Sequence, residues 1–365
     1  MRRKTAWVDT IRVLASFIVI FAHFFMCDGF THDLRMSIRL YEVSIVCISL
    51  FFAISGYLIH PSLERAPSLK EFYKKKLVRL VVPFTVSYIV MAAGMSALSI
   101  FNEDLTDKVP LYHAAFGARY FMVFLGMFPV DLNITKFIDW EVEWFIGEWF
   151  MGIILIMFLI SPFLDKCAVK APVLSFAASI GIAFVVFYAT EDLTLEGRLH
   201  SNTTLVLVRV PEFFFGMILF IYREKFLRIR RYLVPLLLVY LAAHIAYFVD
   251  TYPEIGAIFF PKDPACYATT LPIIYLFFTL AEWLNEHSSK VLDWFNSFNG
   301  ISYMVLLTQH MVIYAFSAAI NFERLQAFGI VYMLFLITWV ILLISWRIQK
   351  ISDPIEKYFL KKGAA

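Results

Sequence analysis

Long apolar runs alternate along the chain with short polar and charged segments. A helix that crosses a bilayer needs about 20 mostly apolar residues, and about ten segments approach that length. The pattern therefore predicts an all-α integral membrane protein with about ten transmembrane helices. The predicted spans are residues 7–27, 43–60, 80–101, 144–163, 173–190, 204–222, 232–249, 267–284, 301–320 and 329–346.

The positions of the 32 lysines and arginines orient these helices. Cytoplasmic loops are enriched in both residue types. With the N-terminus inside, most of them fall in inner loops or tails, including the basic runs at residues 74–79 and 223–231. Both termini are therefore predicted to be cytoplasmic. Residues 1–350 are expected to form a single transmembrane domain, and residues 351–365 a cytoplasmic C-terminal tail.

The composition agrees with a membrane protein and argues against several other classes. Of the 365 residues, 61% are hydrophobic and 17% are charged, and the mean hydropathy is +0.73. The net charge of +3 comes from basic and acidic residues in similar numbers, so no nucleic-acid surface is expected. The four cysteines lack the spacing of metal ligands, and no metal site is predicted. The lipid bilayer is the expected environment.

Polar residues interrupt the first predicted helix. At about 100° per residue, Asp9, Arg12, Ser16 and His23 fall on one side of it. A charge at the bilayer centre costs at least about 2.5 kcal/mol, so such residues usually face a polar interior. A rise of about 16 Å puts Arg12 toward the cytoplasm and His23 toward the outside. Two interpretations are open: the stripe lines a path through the bilayer, or Asp9 pairs with Arg12 at the interface and His23 is a core histidine.

Two other predicted spans also contain polar groups. Arg209 and Glu212 lie three residues apart in VRVPEFFFG, where they form either a water- or ligand-lined site or a buried ion pair between helices. SYMVLLTQH brings Tyr303, Gln309 and His310 into the ninth span. A Gln-His pair near the middle of a span favours a function.

Further candidate residues lie at the ends of spans. FFAISGYLIHP contains Ser55 and Tyr57, small and polar groups that allow helices to approach closely. VEWFIGEWF places Glu143, Trp144 and Glu148 at the outer end of the fourth span, where tryptophans are typical interfacial anchors.

A run of cations, KKKLVRLVVP, precedes the third predicted span. It contains Lys74, Lys75, Lys76 and Arg79. Such a run either sets topology and attracts anionic lipids, or holds the phosphates of a cytoplasmic donor.

Four of these motifs, in this order, resemble acyltransferase family 3, whose multi-spanning members O-acylate sugars of surface polysaccharides, lipopolysaccharide or cell wall. Arg12 and His23 fit its first-helix pattern of an arginine, ten residues and a histidine. FFAISGYLI, KKKLVRLVVP and RVPEFFFG fit the motifs of its second, third and sixth helices. Two departures stand out: Glu148 follows Trp144 by four residues rather than five, and Gln309 stands at the position of the family's usual histidine.

The resemblance implies a multi-pass enzyme of the plasma membrane, with a bacterial origin expected. It would transfer an acyl group, expected to be acetyl, from cytoplasmic acyl-CoA to a hydroxyl of a cell-surface or lipid-linked saccharide. No tightly bound cofactor is expected; acyl-CoA, expected as acetyl-CoA, is the co-substrate.

The resemblance also suggests residue roles. His23 is the candidate general base, because an imidazole with an unperturbed pKa of about 6.5 can take a hydroxyl proton near neutral pH. Arg12, fixed by Asp9, would orient the pantetheine or the thioester end, and Glu143 or Arg209 would polarise the thioester carbonyl or bind the sugar. Direct transfer and an acyl group carried on His23 both stay open. The substrate-binding candidates are Lys74, Lys75, Lys76, Arg79, Ser55, Tyr57, Trp144, Glu148, Glu212, Tyr303, Gln309 and His310.

Two functions of another class compete with this one. A flippase or transporter of a polyprenyl-linked or other saccharide would use the stripe as a passage without making a bond. A proton-coupled carrier would use His23 and Glu148 as a relay, but the chain lacks the paired repeats typical of transporters.

Overall fold

The computed structural model describes most of the predicted helices. The described residues are 6–26, 34–103, 105, 146, 148–189, 205–251, 266–287, 290, 293–294, 297–320, 322 and 325–361. Within these ranges there is no strand, which confirms the all-α class. The helices are α1 (Ala6–Met26), α2 (Leu34–Tyr57), α3 (Ile59–Glu64), α4 (Leu69–Ser99), α5 (Glu148–Lys170), α6 (Pro172–Ala189), α7 (Val206–Ile221), α8 (Arg223–Thr251), α9 (Tyr267–His287), α10 (Ser302–Ala319, after a 3-10 turn at Asn299–Ile301) and α11 (Ala327–Lys361).

Within the described ranges, eight stretches are long and apolar enough to cross a membrane. They include α1, α2 with α3, α4, α5, α6, α8, α9 and α11, so the protein is a multi-pass membrane protein. The other two predicted spans correspond to α7 and α10. The described part of α7 has only 16 residues, and α10 carries Thr308, Gln309 and His310 near its centre. The count of ten therefore stays a prediction.

Helices α2 and α7 pack with their backbones in contact. A Cβ atom added at Gly56 of α2 would lie 1.8 Å from the carbonyl oxygen of Phe213 on α7. One added at Gly216 of α7 would lie 1.9 Å from the carbonyl oxygen of Ala53 on α2. Small residues allow this approach in membrane bundles. The motifs FFAISGYLI and RVPEFFFG therefore form one helix pair.

Helices α4 and α10 run in the same direction. The Tyr303 hydroxyl, at the start of α10, donates a hydrogen bond at 3.3 Å to the carbonyl oxygen of Leu80, in the first half of α4. Beyond the other end of α4, the Asn102 side-chain amide donates to the Ala318 carbonyl oxygen at 3.0 Å. In a protein with ten spans, the third and ninth spans cross the membrane in the same direction, as α4 and α10 do.

Helix α11 runs against α4 and is the longest described, with 35 residues. It continues without interruption through residue 350, where the sequence suggested a domain boundary, and ends at Lys361. Near its end, the Lys74 ammonium group of α4 donates a hydrogen bond to the Leu360 carbonyl oxygen at 3.3 Å. Residues 351–361 are therefore helical, and the boundary of the membrane domain near residue 350 stays a prediction.

Candidate active site

The polar side of α1 faces α10. The buried Ser16 hydroxyl lies 2.8 Å from the Arg12 carbonyl oxygen and 3.3 Å from the Ser302 carbonyl oxygen. Farther along both helices, the His23 and His310 rings meet edge to face with centroids 5.6 Å apart. The two contacts occur in the same order along both helices, so the helices run parallel. The contacts are about 11 Å apart along the helix axes. The structure therefore brings two of the predicted polar groups together.

A small cleft lies between these helices on the Arg12 side of the histidine pair. Helix α1 contributes Val13 and Phe17 to its lining, and α10 contributes Ser302 and Val305. Leu342 of α11 closes another side. The cleft is mostly apolar, apart from serine groups where α1 and α10 meet. Its first lining residue on α1, Val13, directly follows Arg12.

The hydrogen bond of His23 fixes which of its ring nitrogens is basic. Nδ1 lies 2.9 Å from the Val19 carbonyl oxygen, one turn earlier on α1. A carbonyl oxygen only accepts, so in the neutral ring Nδ1 carries the proton and Nε2 carries the lone pair. His23 is half-buried, and His310 is exposed in the described bundle. His23 Nε2 is therefore the nitrogen that can accept a proton.

Arg12 lies beside Asp9, as their spacing predicted. Arg12 Nη1 and Asp9 Oδ1 are 3.8 Å apart, and both side chains are partly exposed. Arginine carries five N–H donors, so one guanidinium can contact more than one anion.

The basic run reaches the same end of α1 as Arg12. Helix α4 begins at a cap in which the Ser68 hydroxyl accepts a hydrogen bond from the Glu71 backbone N–H at 3.2 Å. One to two turns later, Lys76 packs its ammonium group 4.9 Å from the centre of the Phe158 ring. The cations within electrostatic reach of Lys76 are Arg12, Arg65, Lys75 and Arg79. We call these five residues the cation cluster.

Gln309 lies inside the bundle, and its side-chain oxygen is not satisfied. The residue is 4% exposed, and its Oε1 has no hydrogen-bond partner among the described residues. The preceding Thr308 instead bonds to Ser345 of α11 at 3.0 Å. Tyr303 attaches α10 to α4, as described above.

Arg209 and Glu212 form a buried ion pair on α7, and Ser49 of α2 contacts both of them. Arg209 is 2% exposed and Glu212 is fully buried, with Nη1 and Oε1 3.2 Å apart. The Ser49 hydroxyl of α2 donates to the same Glu212 oxygen at 2.6 Å. The Arg209 guanidinium also lies 5.9 Å from the centre of the Phe52 ring. These contacts agree with the alternative of a buried ion pair. They also join α7 to α2, the two helices that meet at Gly56 and Gly216.

The second-helix candidates also contact protein groups. The Ser55 hydroxyl donates to the Phe51 carbonyl oxygen of its own helix at 2.8 Å. Tyr57 is fully buried, and its ring meets that of Phe220 edge to face at 5.0 Å. Both residues lie where α2 approaches α7, which favours a packing role.

The outer candidates of the fourth span lie largely outside the described part of the chain. Glu143 and Trp144 lie outside the described residues. Glu148 is the first residue of α5, but its side chain is outside the described part. Their predicted roles are untested.

The sequence reasoning missed two ion pairs between α8 and α9. Arg223 binds Glu282 through two hydrogen bonds of 2.9 and 2.6 Å. Arg230 binds Glu286 in the same way, at 3.2 and 2.9 Å. The two cations lie on one face of α8 and the two carboxylates on one face of α9, and this complementary charge pattern could have revealed the pairs.

These features define a multi-pass, all-α membrane protein in which the polar side of one helix faces a parallel helix that also carries polar groups. A family model described as an acyltransferase domain matches residues 5–348, nearly the whole chain. The chain therefore belongs to acyltransferase family 3, and the protein is a membrane acyltransferase. No curated protein and no solved structure matches the chain.

Proposed function

We propose that this acyltransferase transfers an acyl group, expected to be acetyl, from cytoplasmic acyl-CoA to a hydroxyl of a cell-surface or lipid-linked saccharide. The observation that carries the proposal is the polar side of α1. One end of it lies at the cation cluster, and the other end lies at the His23–His310 pair. A donor that enters from one side and an acceptor from the other would meet along this path. A bacterial plasma membrane is the setting that the family favours.

The cation cluster suits the phosphate groups of CoA. Several cations close together form charge-assisted hydrogen bonds with phosphate oxygens, and arginine does so in a fixed fork. Lys75 and Arg79 are exposed, whereas Lys76 and Arg12 are partly buried beside them. Phosphates bound at the exposed cations leave Arg12 and the cleft for the pantetheine arm and the thioester.

The chemical step uses His23 Nε2 as a general base. This nitrogen takes the proton of the acceptor hydroxyl while the hydroxyl oxygen attacks the thioester carbonyl. The tetrahedral intermediate then collapses, the bond from the carbonyl carbon to sulfur breaks, and the protonated His23 gives the proton to the departing CoA thiolate. The products are the sugar ester and free CoA. We expect His310, exposed beside His23, to contact the acceptor.

Arg209 has a different relation to this path. Its guanidinium is shared by Glu212 and Ser49, which supports a role in holding α7 against α2 rather than contact with the thioester. Glu143 keeps its predicted role of polarising the carbonyl or binding the sugar.

The test uses purified protein in proteoliposomes with radiolabelled acetyl-CoA on the cytoplasmic face. Wild type should hydrolyse acetyl-CoA or transfer its acetyl group, and His23→Ala and Arg12→Ala should lose turnover. His287→Ala, at the exposed end of α9, should keep it. Full turnover in correctly inserted His23→Ala protein would contradict the mechanism. Saccharide movement without dependence on acyl-CoA would favour a flippase instead.

A further inference from the structure

Gln309 presents a buried hydrogen-bond acceptor that the protein itself does not use. The side chain is 4% exposed, and its Oε1 finds no partner in the described part of the chain. Buried polar atoms are hydrogen-bonded in the large majority of cases, and each exception calls for an explanation. Since Gln309 directly precedes His310, which contacts the candidate base, a bound ligand is a direct explanation.

The helical spacing puts Gln309 on the side of α10 that lines the cleft. Ser302 and Val305 line the cleft, and Gln309 follows them by seven and four residues. On a helix these three positions share one face. Gln309 is therefore the next group on that face, one turn farther from the cation cluster. His310, the neighbouring residue, contacts His23.

The lining of the cleft indicates which part of a ligand lies there. Val13, Phe17, Ile301 and Leu342 present apolar surface. Burial of sugar hydroxyls against such groups without partners is unfavourable, whereas methylene groups need no partners. The pantetheine arm of CoA is a chain of methylene groups interrupted by amides. The exposed His310, in contrast, marks the more accessible side of the histidine pair.

We propose that Gln309 Oε1 accepts a hydrogen bond from the pantetheine amide N–H nearest the thioester. This inference rests on the proposed function. Only two methylene groups separate that amide nitrogen from the thioester sulfur. An amide held at Gln309 therefore keeps the thioester carbonyl beside the His23–His310 pair. Gln309 acts as a donor-binding residue that sets how far the thioester reaches along the path.

The test compares two donors with full-length protein in proteoliposomes. One donor is acetyl-CoA, and the other is its analogue in which a methylene group replaces the N–H of the amide next to the thioester. Wild type should prefer acetyl-CoA by about tenfold in kcat/KM, the value of one buried hydrogen bond. Gln309→Met, which keeps the length of the side chain, should turn over both donors at similar rates. Gln309→Glu keeps acceptor oxygens and should restore much of the preference.

Several results would overturn the proposal. Equal use of both donors by wild type would do so, as would a Gln309→Met variant that slows both donors but keeps the preference. A raised acceptor KM with the donor preference intact would assign Gln309 to the saccharide. If wild type turned over neither thioester, the proposed function and this inference would fall together. If wild type turned over both donors but at equal rates, the proposed function would stand and the role of Gln309 would be refuted. Should Gln309→Met not fold, the comparison of wild type with Gln309→Glu still measures the preference.

Discussion

Gly216 of α7 lies so close to Ala53 of α2 that a Cβ atom would stand 1.9 Å from the Ala53 carbonyl oxygen. Both helices must therefore move apart if any side chain is added. Gly56 of α2 has the same relation to Phe213 of α7. The motifs FFAISGYLI and RVPEFFFG thus each contain a glycine that leaves room for the backbone of the other motif.

We expect Gly216→Ala to destabilise the protein strongly, because the added methyl group meets backbone rather than a movable side chain. Thermal unfolding in detergent should show a lower Tm or too little folded protein to measure. Gly181→Ala on α6 is the matched control, since nothing lies within 4 Å of its added Cβ. This control should match or exceed the wild-type Tm, since alanine favours a helix by about 1 kcal/mol over glycine. An unchanged Tm for Gly216→Ala would contradict the packing.

The Arg209–Glu212 pair leads to a prediction that separates stability from chemistry. Removal of one partner from a buried ion pair typically costs about 3 kcal/mol or more, because the other charge is left buried. Arg209→Met should therefore lower stability, measured by unfolding in detergent. The double variant Arg209→Met with Glu212→Leu should recover much of it.

The activity of that double variant distinguishes the roles. If it transfers acetyl groups at a rate near that of wild type, Arg209 acts by holding α7 on α2. If it is folded but inactive, the sequence-based assignment of Arg209 to the thioester carbonyl or the sugar gains support.

The periodicity of the sequence was sufficient to predict relations within one helix. Asp9 and Arg12 lie side by side as their spacing required, and the stripe from Arg12 to His23 occupies one face. Helical geometry fixes such neighbours regardless of the rest of the fold. The family motifs, too, are local patterns, and the family match covers them all.

Relations between helices could not be predicted in the same way. Nothing in the sequence pairs Ser16 with Ser302, or His23 with His310, because those contacts depend on which helices become neighbours. The number of spans was equally uncertain for a physical reason. Helix α7 has only 16 residues, and α10 carries Thr308, Gln309 and His310 near its centre. The first is shorter and the second more polar than a helix that faces lipid along its whole length.

Arg79 should contribute to donor binding through the CoA phosphates. Arg79→Ala should raise the KM for acetyl-CoA by about tenfold, the effect of losing one charge-assisted contact. The KM for S-acetylpantetheine, which has no phosphate, should not change. Arg231→Ala is the control, an exposed cation of α8 that lies over the Tyr232 ring. A loss of kcat without a change in KM would argue against phosphate binding.

Glu356 lies on α11 beyond the end of the family match at residue 348, yet it is within electrostatic reach of Arg79 and Tyr303. If Arg79 binds CoA phosphates as proposed, the Glu356 carboxylate should compete with them for its charge. We expect Glu356→Gln to lower the KM for acetyl-CoA by about two- to fivefold, the size of a partly screened charge interaction.

The control for this prediction is Glu224→Gln, an exposed carboxylate on α8 that pairs with Arg223. It should leave the KM unchanged. In Arg79→Ala protein, the additional Glu356→Gln change should have little effect, because the two residues act on the same phosphate site. If Glu356→Gln lowered the KM equally in both backgrounds, Glu356 would act on another cation of the cluster. If Glu356→Gln raised the KM, the Glu356 carboxylate would instead hold the cations of the cluster in position for the donor.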